Sequence, residues 1–462
     1  MTVTSAPAPA ARTSSPWPLT VILAGQFMAV LDVSIVNVAA PVIRSDLGAS
    51  GSGLQMIVSG YTIAYAMLLV TGARLGGRHG GRRLFLYGLA GFTAASLACG
   101  LAASAGQLIA FRFLQGAGAA LMVPQVLSMI QTSFAGAARA RALGLYAAVV
   151  SGAAVAGQVL GGVLVSADLF GSSWRPVFLV NVPIGLVLLV LGARLLPAGG
   201  PSRHRALDLP GLVTLSAAVG LLVVPLVLGH ERGWPLWSRA ALVASAVMAG
   251  VFVLVERRVA APLVPVRVLR APGTVPSALA IFGTMTTYGG FLLACALHLQ
   301  GPLGDDPLAA GLTFVPAAVG FTVVSLGWRR VPGRLHRRMI VVSFGVAGLG
   351  YLLLSPALTA GNRPLLAAAF VVIGAGLGGA FSPTLSVGLA HAAPEDAPDV
   401  SGLFVMMTQL GQVVGVATFG TLYLGSGSVT ATCLALAGTI LLTGACALPL
   451  LRRRRDLRPA AP

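Results

Sequence analysis

Apolar stretches of about twenty residues recur along the whole chain, separated by short polar or arginine-bearing breaks. A helix needs ~20 mostly apolar residues to cross the hydrocarbon core of a bilayer, so each stretch reads as a membrane span. They fall at 17–40, 54–73, 84–103, 107–131, 143–166, 176–196, 208–229, 239–256, 275–299, 310–327, 340–358, 364–390, 402–424 and 430–451, which makes fourteen. The segment 208–256 decides between twelve and fourteen. It lies between two arginine-bearing segments, 194–205 and 257–270, that both belong on the same side of a membrane. An even number of helices must separate them. The polar break His230–Trp237 turns the segment into a hairpin, with six spans before it and six after.

Arginine placement tests this topology. With the N-terminus inside, 24 arginines fall in inside segments and five (Arg44, Arg175, Arg232, Arg239 and Arg363) at outside ones, while Arg112 lies within a span. Basic loops stay on the cytoplasmic side, so the split puts both termini there. The inside segment 391–401 has no arginine but carries Glu395, Asp396 and Asp399; acids contribute little to orientation. The expected organisation is a polar tail at 1–16, a six-helix bundle at 17–196, a linker at 197–207, the extra hairpin at 208–256, a linker at 257–274, a second six-helix bundle at 275–451 and a basic tail at 452–462. The fold class is therefore an all-α integral membrane protein with fourteen transmembrane helices. Short Arg/Gly loops after the second span of each half, Gly72–Leu84 and Gly327–Arg338, suggest that the halves are repeats around a central cavity.

Composition agrees. Of 462 residues 56% are hydrophobic and 9% charged, against about 25% charged in soluble domains. The net charge of +18, carried by arginine without a single lysine, would alone suggest nucleic-acid binding. The long apolar runs between the arginines exclude that reading. The four cysteines, Cys99, Cys295, Cys433 and Cys446, each sit in an apolar run and read as buried packing residues. No metal spacing, phosphate loop or nucleophile triad is visible, so no cofactor and no enzymatic chemistry are expected.

Two residues carry charge inside spans. Asp32 is the acid well inside one, where a carboxylate costs on the order of 2.5–3.5 kcal/mol on insertion scales. Such a group faces the bundle interior or a wet cavity and can titrate or bind substrate. Arg112 is the base inside a span. Counted from the outer ends of their spans the two lie at similar depth, about seven and about five residues in at ~1.5 Å each. They can pair. Other polar residues within spans are candidates to line a cavity or to bond helices together: Gln26, Asn37, Tyr61, Tyr65, Gln115, Gln125, Gln158, Asn181, Gln409 and Gln412. Glycines cluster at Gly157, Gly161 and Gly162, at Gly374–Gly379 and at Gly411 and Gly415, where helices can approach closely. His298 falls near the outer end of its span and reads as an interfacial histidine.

Five motifs, in order, resemble those of the fourteen-span drug:proton antiporter branch of the major facilitator superfamily. They are LDVSIVNVAAP (Leu31–Pro41), GARLGGRHGGRRLF (Gly72–Phe85), LIAFRFLQGAGAA (Leu108–Ala120), GQVLGG (Gly157–Gly162) and WRPVFLVNVPIG (Trp174–Gly185). The resemblance implies alternating access between two six-helix bundles, export of amphipathic or cationic drugs or antibiotics against protons, and residence in a bacterial cytoplasmic membrane among lipids, as a monomer. It makes Asp32 the proton-coupling carboxylate and Arg112 its partner. It also makes Arg74, Gly77, Arg78, Gly80, Arg82 and Arg83 the gating loop and Gly157, Gly161 and Gly162 the antiporter-motif glycines. Two positions depart from the pattern: Gly77 stands where the loop motif has an acid, and Gln158 where the fifth-span motif has proline. With one buried carboxylate, substrate and proton can exclude each other at Asp32. The competing readings are a proton symporter or facilitator for a small metabolite, and a membrane sensor or scaffold.

Overall fold

A computed structural model describes residues 17–134, 136–197, 208–229, 233–259, 262, 266–390 and 397–451. The tail 1–16, most of the linker 197–207, part of the linker 257–274, His230, Glu231 and Arg232 of the hairpin break, Glu395 and Asp396, and the basic tail 452–462 lie outside the described residues.

Among the described residues the chain forms helices and no strands. The first group is α1 (Trp17–Leu47), α2 (Gly51–His79), α3 (Gly81–Gly100), α4 (Ala105–Ser133), α5 (Gly136–Ser166), α6 (Pro176–Leu179) and α7 (Asn181–Leu195). The hairpin is α8 (Leu209–Leu228) and α9 (Leu236–Arg258), followed by the short α10 (Val266–Arg270). The last group is α11 (Thr274–Gln300), α12 (Pro307–Thr313), α13 (Val315–Gly327), α14 (His336–Thr359), α15 (Arg363–Ala390), α16 (Ala397–Ser426) and α17 (Val429–Ala447). Thirteen stretches meet the length and hydropathy of a membrane span among the described residues, and α5 adds the apolar run Ala156–Ser166. Two spans are interrupted: Pro183 and Pro316, in the first turns of α7 and α13, remove one N–H each from the helical ladder, while the junction residues Val180 and Phe314 keep helical backbone angles, so α6–α7 and α12–α13 each continue as one span.

Polar side chains cap the starts of three helices. Ser50 Oγ accepts from Gly53 N at 3.0 Å to open α2, Asp208 Oδ1 from Gly211 N at 2.8 Å to open α8, and Ser428 Oγ from Ala431 N at 3.1 Å to open α17. The expected loop Gly72–Leu84 is almost absent. α2 runs on to His79 and α3 starts at Gly81, so Gly80 alone, at φ 95°, makes the turn. A side chain there would be strained. Gly77 therefore lies in the last turns of α2, with Arg74 and Arg78; Arg82 and Arg83 open α3. Arg74 Nη2 donates to the Pro262 carbonyl. Arg82 Nη2 donates to the Ala193 carbonyl in the last turn of α7, where the helix dipole favours a cation.

Packing divides the helices into two bundles and a hairpin. α1 packs on α5, α2 and α3 on α4, and α3 on α7; in the second half α11 packs on α16 and α17, and α15 on α13 and α14. Between the halves, side-chain hydrogen bonds from helix to helix among the described residues gather at the end of the bundle that carries the α1–α2 turn, the end expected to lie outside. There Gln300 Nε2 donates to Val38 O at 2.9 Å, Leu308 N to Ser166 Oγ at 3.2 Å, and Thr421 Oγ1 to Gln55 Oε1 at 3.2 Å. α8 lies along the seam between α2 and α16. Its Val219 and Val223 pack with Ile63, Val413 and Ala417. Three cysteines are buried as expected, but Cys446 is exposed: α17 presents it away from the bundle. His298 lies in the last turn of α11 and is buried there, with its Nδ1 3.0 Å from the Tyr423 hydroxyl.

Candidate functional site

The two charges expected inside spans meet at the centre of the first bundle. Asp32 on α1 and Arg112 on α4 are both 0% exposed. Arg112 Nη1 donates to Asp32 Oδ2. Asp32 Oδ1 accepts from Gln115 Nε2 at 2.7 Å and from Asn181 Nδ2 of α7 at 3.0 Å. Gln115 also accepts from Arg112 Nη1 at 2.6 Å, and its amide donates to Ser96 Oγ on α3 at 2.8 Å. Arg112 Nε donates to the Ile57 carbonyl of α2 at 3.1 Å. The guanidinium lies 4.7 Å from the centre of the Tyr61 ring and 5.7 Å from that of Phe178. Burying two ions costs several kcal/mol each, recovered only when geometry and extra hydrogen bonds are good. Here both carboxylate oxygens are occupied, and α1, α2, α3, α4 and α7 all contribute a group.

Spacing explains who takes part. Arg112 and Gln115 are i, i+3 on α4 and share a face. Ser96 and Cys99 are i, i+3 on α3, and Cys99 Sγ lies 3.8 Å from Gln115 Oε1. Ser96, Cys99 and the Ile57 carbonyl were not anticipated. Only the i, i+3 pairing of polar residues on α3 hinted at the first two, and a main-chain carbonyl leaves no mark in a sequence.

A separate narrow cleft lies between the two bundles. Val33 and Asn37 of α1, Val58, Ser59 and Thr62 of α2, Tyr288, Gly289 and Leu292 of α11, and Gln412, Val413 and Val416 of α16 line it. Asp32 does not. Positions 33 and 37 share a helix face, whereas 32 and 37 stand about 140° apart round the helix. One face of α1 looks into the bundle core and another into the cleft. Asp32, sealed and fully partnered, offers a cleft ligand no direct contact, so competition of substrate and proton for this carboxylate is not what the geometry provides.

The candidate cavity residues are therefore dispersed. Asn37 is on the cleft wall, and so is Gln412. Gln115 and Asn181 hold Asp32, and Tyr61 covers Arg112 while its hydroxyl donates to Ala29 O at 3.2 Å. Tyr65 stacks beside Tyr61, with ring centres 6.1 Å apart. Gln125 Nε2 donates to Gly72 O at 2.8 Å and ties α4 to α2. Gln26 and Gln409 are buried and are not among the cleft-lining residues. Gln158 is buried on α5, with neither side-chain polar atom partnered among the described residues. Gly157 and Gly161 bring α5 onto α1: a Cβ at either would lie within 3 Å of an α1 main-chain oxygen, Leu31 O or Ile35 O. Gly162 faces Leu308 of α12 just as closely.

Known proteins match along nearly the whole chain. The family model described as Major Facilitator Superfamily matches residues 22–416 and 277–462. The probable actinorhodin transporter of Streptomyces coelicolor is 39% identical over 419 residues, covering 88% of this chain and 72% of its own. The cephamycin export protein of Amycolatopsis lactamdurans is 39% identical over 414 residues, covering 87% and 83%. The tetracenomycin C resistance and export protein of Streptomyces glaucescens is 32% identical, covering 88% and 76%. Among solved structures, a POT family transporter in complex with a thioalcohol-conjugated peptide superposes with TM-score 0.67 at 16% identity, over 93% of this chain and 95% of that one. A bacterial homologue of the human lysosomal transporter Spinster, in an inward-facing and occupied conformation, superposes with TM-score 0.67 at 15% identity over 97% and 99%. At that identity the likeness concerns the fold alone.

Proposed function

The chain belongs to the Major Facilitator Superfamily, and we propose that this transporter exports amphipathic antibiotics across a bacterial cytoplasmic membrane in exchange for protons, by alternating access between the bundles 17–196 and 275–451. The roles of the similar relatives, antibiotic export and resistance, support the direction of transport. In this reading both termini are cytoplasmic, one chain is the working unit, and the hairpin 208–256 lies outside the pathway. Moving one charge through 100 mV supplies ~2.3 kcal/mol, enough to concentrate a substrate.

The buried Asp32–Arg112 pair carries this reading. α1 bears Asp32 on its core face, Asn37 on the cleft wall and, at Val38, the carbonyl that accepts Gln300 across the seam. A proton arriving on Asp32 turns an ion pair into a neutral acid beside a guanidinium. The bond holding α1 to α4 weakens, and α1 moves at the cleft and the seam together. Proton and substrate are thus coupled through the position of one helix, not by contesting one atom. The Arg74–Arg83 turn, tied by Arg74 to Pro262 between the bundles, serves as the cytoplasmic hinge.

The test is expression in a host without its own efflux pumps, with growth measured on a panel of antibiotics. Lower susceptibility to at least one compound is expected, and Asp32→Asn should abolish it when compared with wild type expressed to the same amount of membrane-inserted protein. An unchanged panel, or full resistance from Asp32→Asn, refutes the proposal.

A further inference from the structure

The cleft between the bundles holds a chemistry distinct from that of the charged pair beside it. None of its lining residues is an acid, an arginine or a histidine. The nearby carboxylate is on the wrong face of α1, and its two oxygens are taken by Arg112, Gln115 and Asn181. A cation entering this cleft gives up its water and meets no counter-charge. A low-dielectric site penalises such an unpaired ion far more than a neutral molecule of the same size.

The wall nevertheless asks for hydrogen bonds. Asn37 and Ser59 are 3% and 1% exposed, and Asn37 Oδ1 and Ser59 Oγ have no partner among the described residues. One of the two Asn37 amide N–H groups donates to Val33 O at 2.7 Å, while the acceptor Oδ1 of this cleft-lining residue has no partner among the described residues. Ser59 adds a hydroxyl that can donate or accept. Across the cleft the amide of Gln412 reaches the Met285 sulfur, a weak acceptor, at 3.9 Å. Buried polar groups are almost always satisfied, so the two buried, unpartnered atoms on this wall, Asn37 Oδ1 and Ser59 Oγ, with the half-buried Gln412 amide opposite, point to a ligand that completes them. Such a ligand brings a donor for Asn37 and an acceptor for Ser59 and Gln412. Its body packs on the valines and Leu292.

We propose that the cleft between α1, α2, α11 and α16 selects uncharged amphiphiles that carry a hydroxyl or amide edge, held by Asn37, Ser59 and Gln412, and that it rejects lipophilic cations for want of a carboxylate. The inference rests on the export reading for its biological meaning, but it concerns binding and is tested by binding. The discrimination follows from where Asp32 points: the same residue five positions along α1 would reverse it.

The probes are tetraphenylphosphonium, a permanent cation, and triphenylmethanol, a neutral molecule of related shape with one hydroxyl. Equilibrium dialysis with purified full-length protein in detergent, corrected for empty micelles, measures saturable binding. Wild type should bind triphenylmethanol and not tetraphenylphosphonium. Ser59→Ala and Asn37→Leu should weaken triphenylmethanol binding by up to about tenfold each, the worth of one neutral hydrogen bond. Ser59→Asp should gain saturable binding of the cation, and Asn37→Asp, as a second placement of the charge, should do the same; gel filtration confirms that each variant is folded. Saturable binding of tetraphenylphosphonium by wild type overturns the proposal. So does failure of wild type to bind triphenylmethanol, or failure of both folded aspartate variants to gain the cation, since charge would then not be what the cleft discriminates. The export reading fails separately, by an unchanged antibiotic panel, whatever the dialysis shows.

Discussion

Replacing Asp32 by asparagine keeps the volume of the side chain and removes one acceptor and one charge. The carboxylate accepts three donors: Arg112 Nη1 at Oδ2, and the amides of Gln115 and Asn181 at Oδ1. Asparagine has one acceptor oxygen. It can serve the arginine or the two amides, and its own NH2 must then face a donor. Arg112 is left fully buried with a charge and no counter-ion. Removing one member of a buried pair costs about 3–5 kcal/mol. The Tyr61 ring at 4.7 Å faces the guanidinium before and after the change, so the cation keeps that contact. The Ile57 and Gln115 oxygens remain bonded to the guanidinium. The expected loss for Asp32→Asn is therefore at the lower end, about 3 kcal/mol, or roughly a hundredfold in the folding equilibrium. Arg112→Met alone should cost a similar amount, because it strands the carboxylate. The double variant removes both charges together, and replacing a whole buried pair by apolar groups is often neutral or stabilising. Reversible unfolding in mixed lipid–detergent micelles of wild type, both single variants and the double variant gives the cycle. A double variant less costly than either single one, and inactive in transport, is expected. Additive losses would mean that the two residues do not interact, and the pair would lose its place in the mechanism.

Further outcomes follow from packing, backbone conformation and surface charge. Gly374→Ala places a methyl group on the Ala317 carbonyl oxygen, between α15 and α13, and Gly415→Ala does the same at Thr286 O between α16 and α11; each should destabilise by about 1–3 kcal/mol or more. Gly220→Ala meets nothing within 4 Å and should stay within about 1 kcal/mol of wild type, on the favourable side, in the same unfolding assay. Gly80→Ala forces a side chain into φ 95° and should cost about 1–3 kcal/mol, read as a lower melting temperature. Arg363→Ala breaks a bidentate contact with Asp305, but the arginine side chain is 49% exposed, so the loss should be about 1 kcal/mol or less and should shrink further in high salt.

The helical plan was legible because the bilayer imposes it: a span must be long and apolar, and arginine marks one side. Ends of helices were not. The Gly72–Leu84 segment reads as a loop from its glycines and arginines, yet α2 continues to His79. Its glycines serve contact instead of flexibility, since a Cβ at Gly72 would overlap the Ala120 carbonyl oxygen of α4 and one at Gly76 the Gln125 amide. Composition cannot separate a glycine that breaks a helix from one that lets two helices touch. Only Gly80, with its positive φ, does the first here.

The site was legible in proportion to how costly its residues are to bury. Asp32 and Arg112 stand out because a charge in a span demands a partner, and equal depth then brings the two together. Gln115 and Asn181 stood out as polar residues, but polarity alone did not say which way they face. On a bundle helix one side meets its own bundle and another meets the cleft. The difference between them is an angle, about 140° between positions 32 and 37, and it is fixed only when the neighbouring helices are placed. The cleft itself is built largely from residues that an apolar span hides well: Ser59, Thr62, Gly289 and the valines. Their chemistry is visible only by subtraction, as polar atoms left without partners in a chain where the single central acid has three. Asp32 and the cleft wall thus sit on two faces of one helix, α1, and in the proposed export cycle that helix is what would connect them.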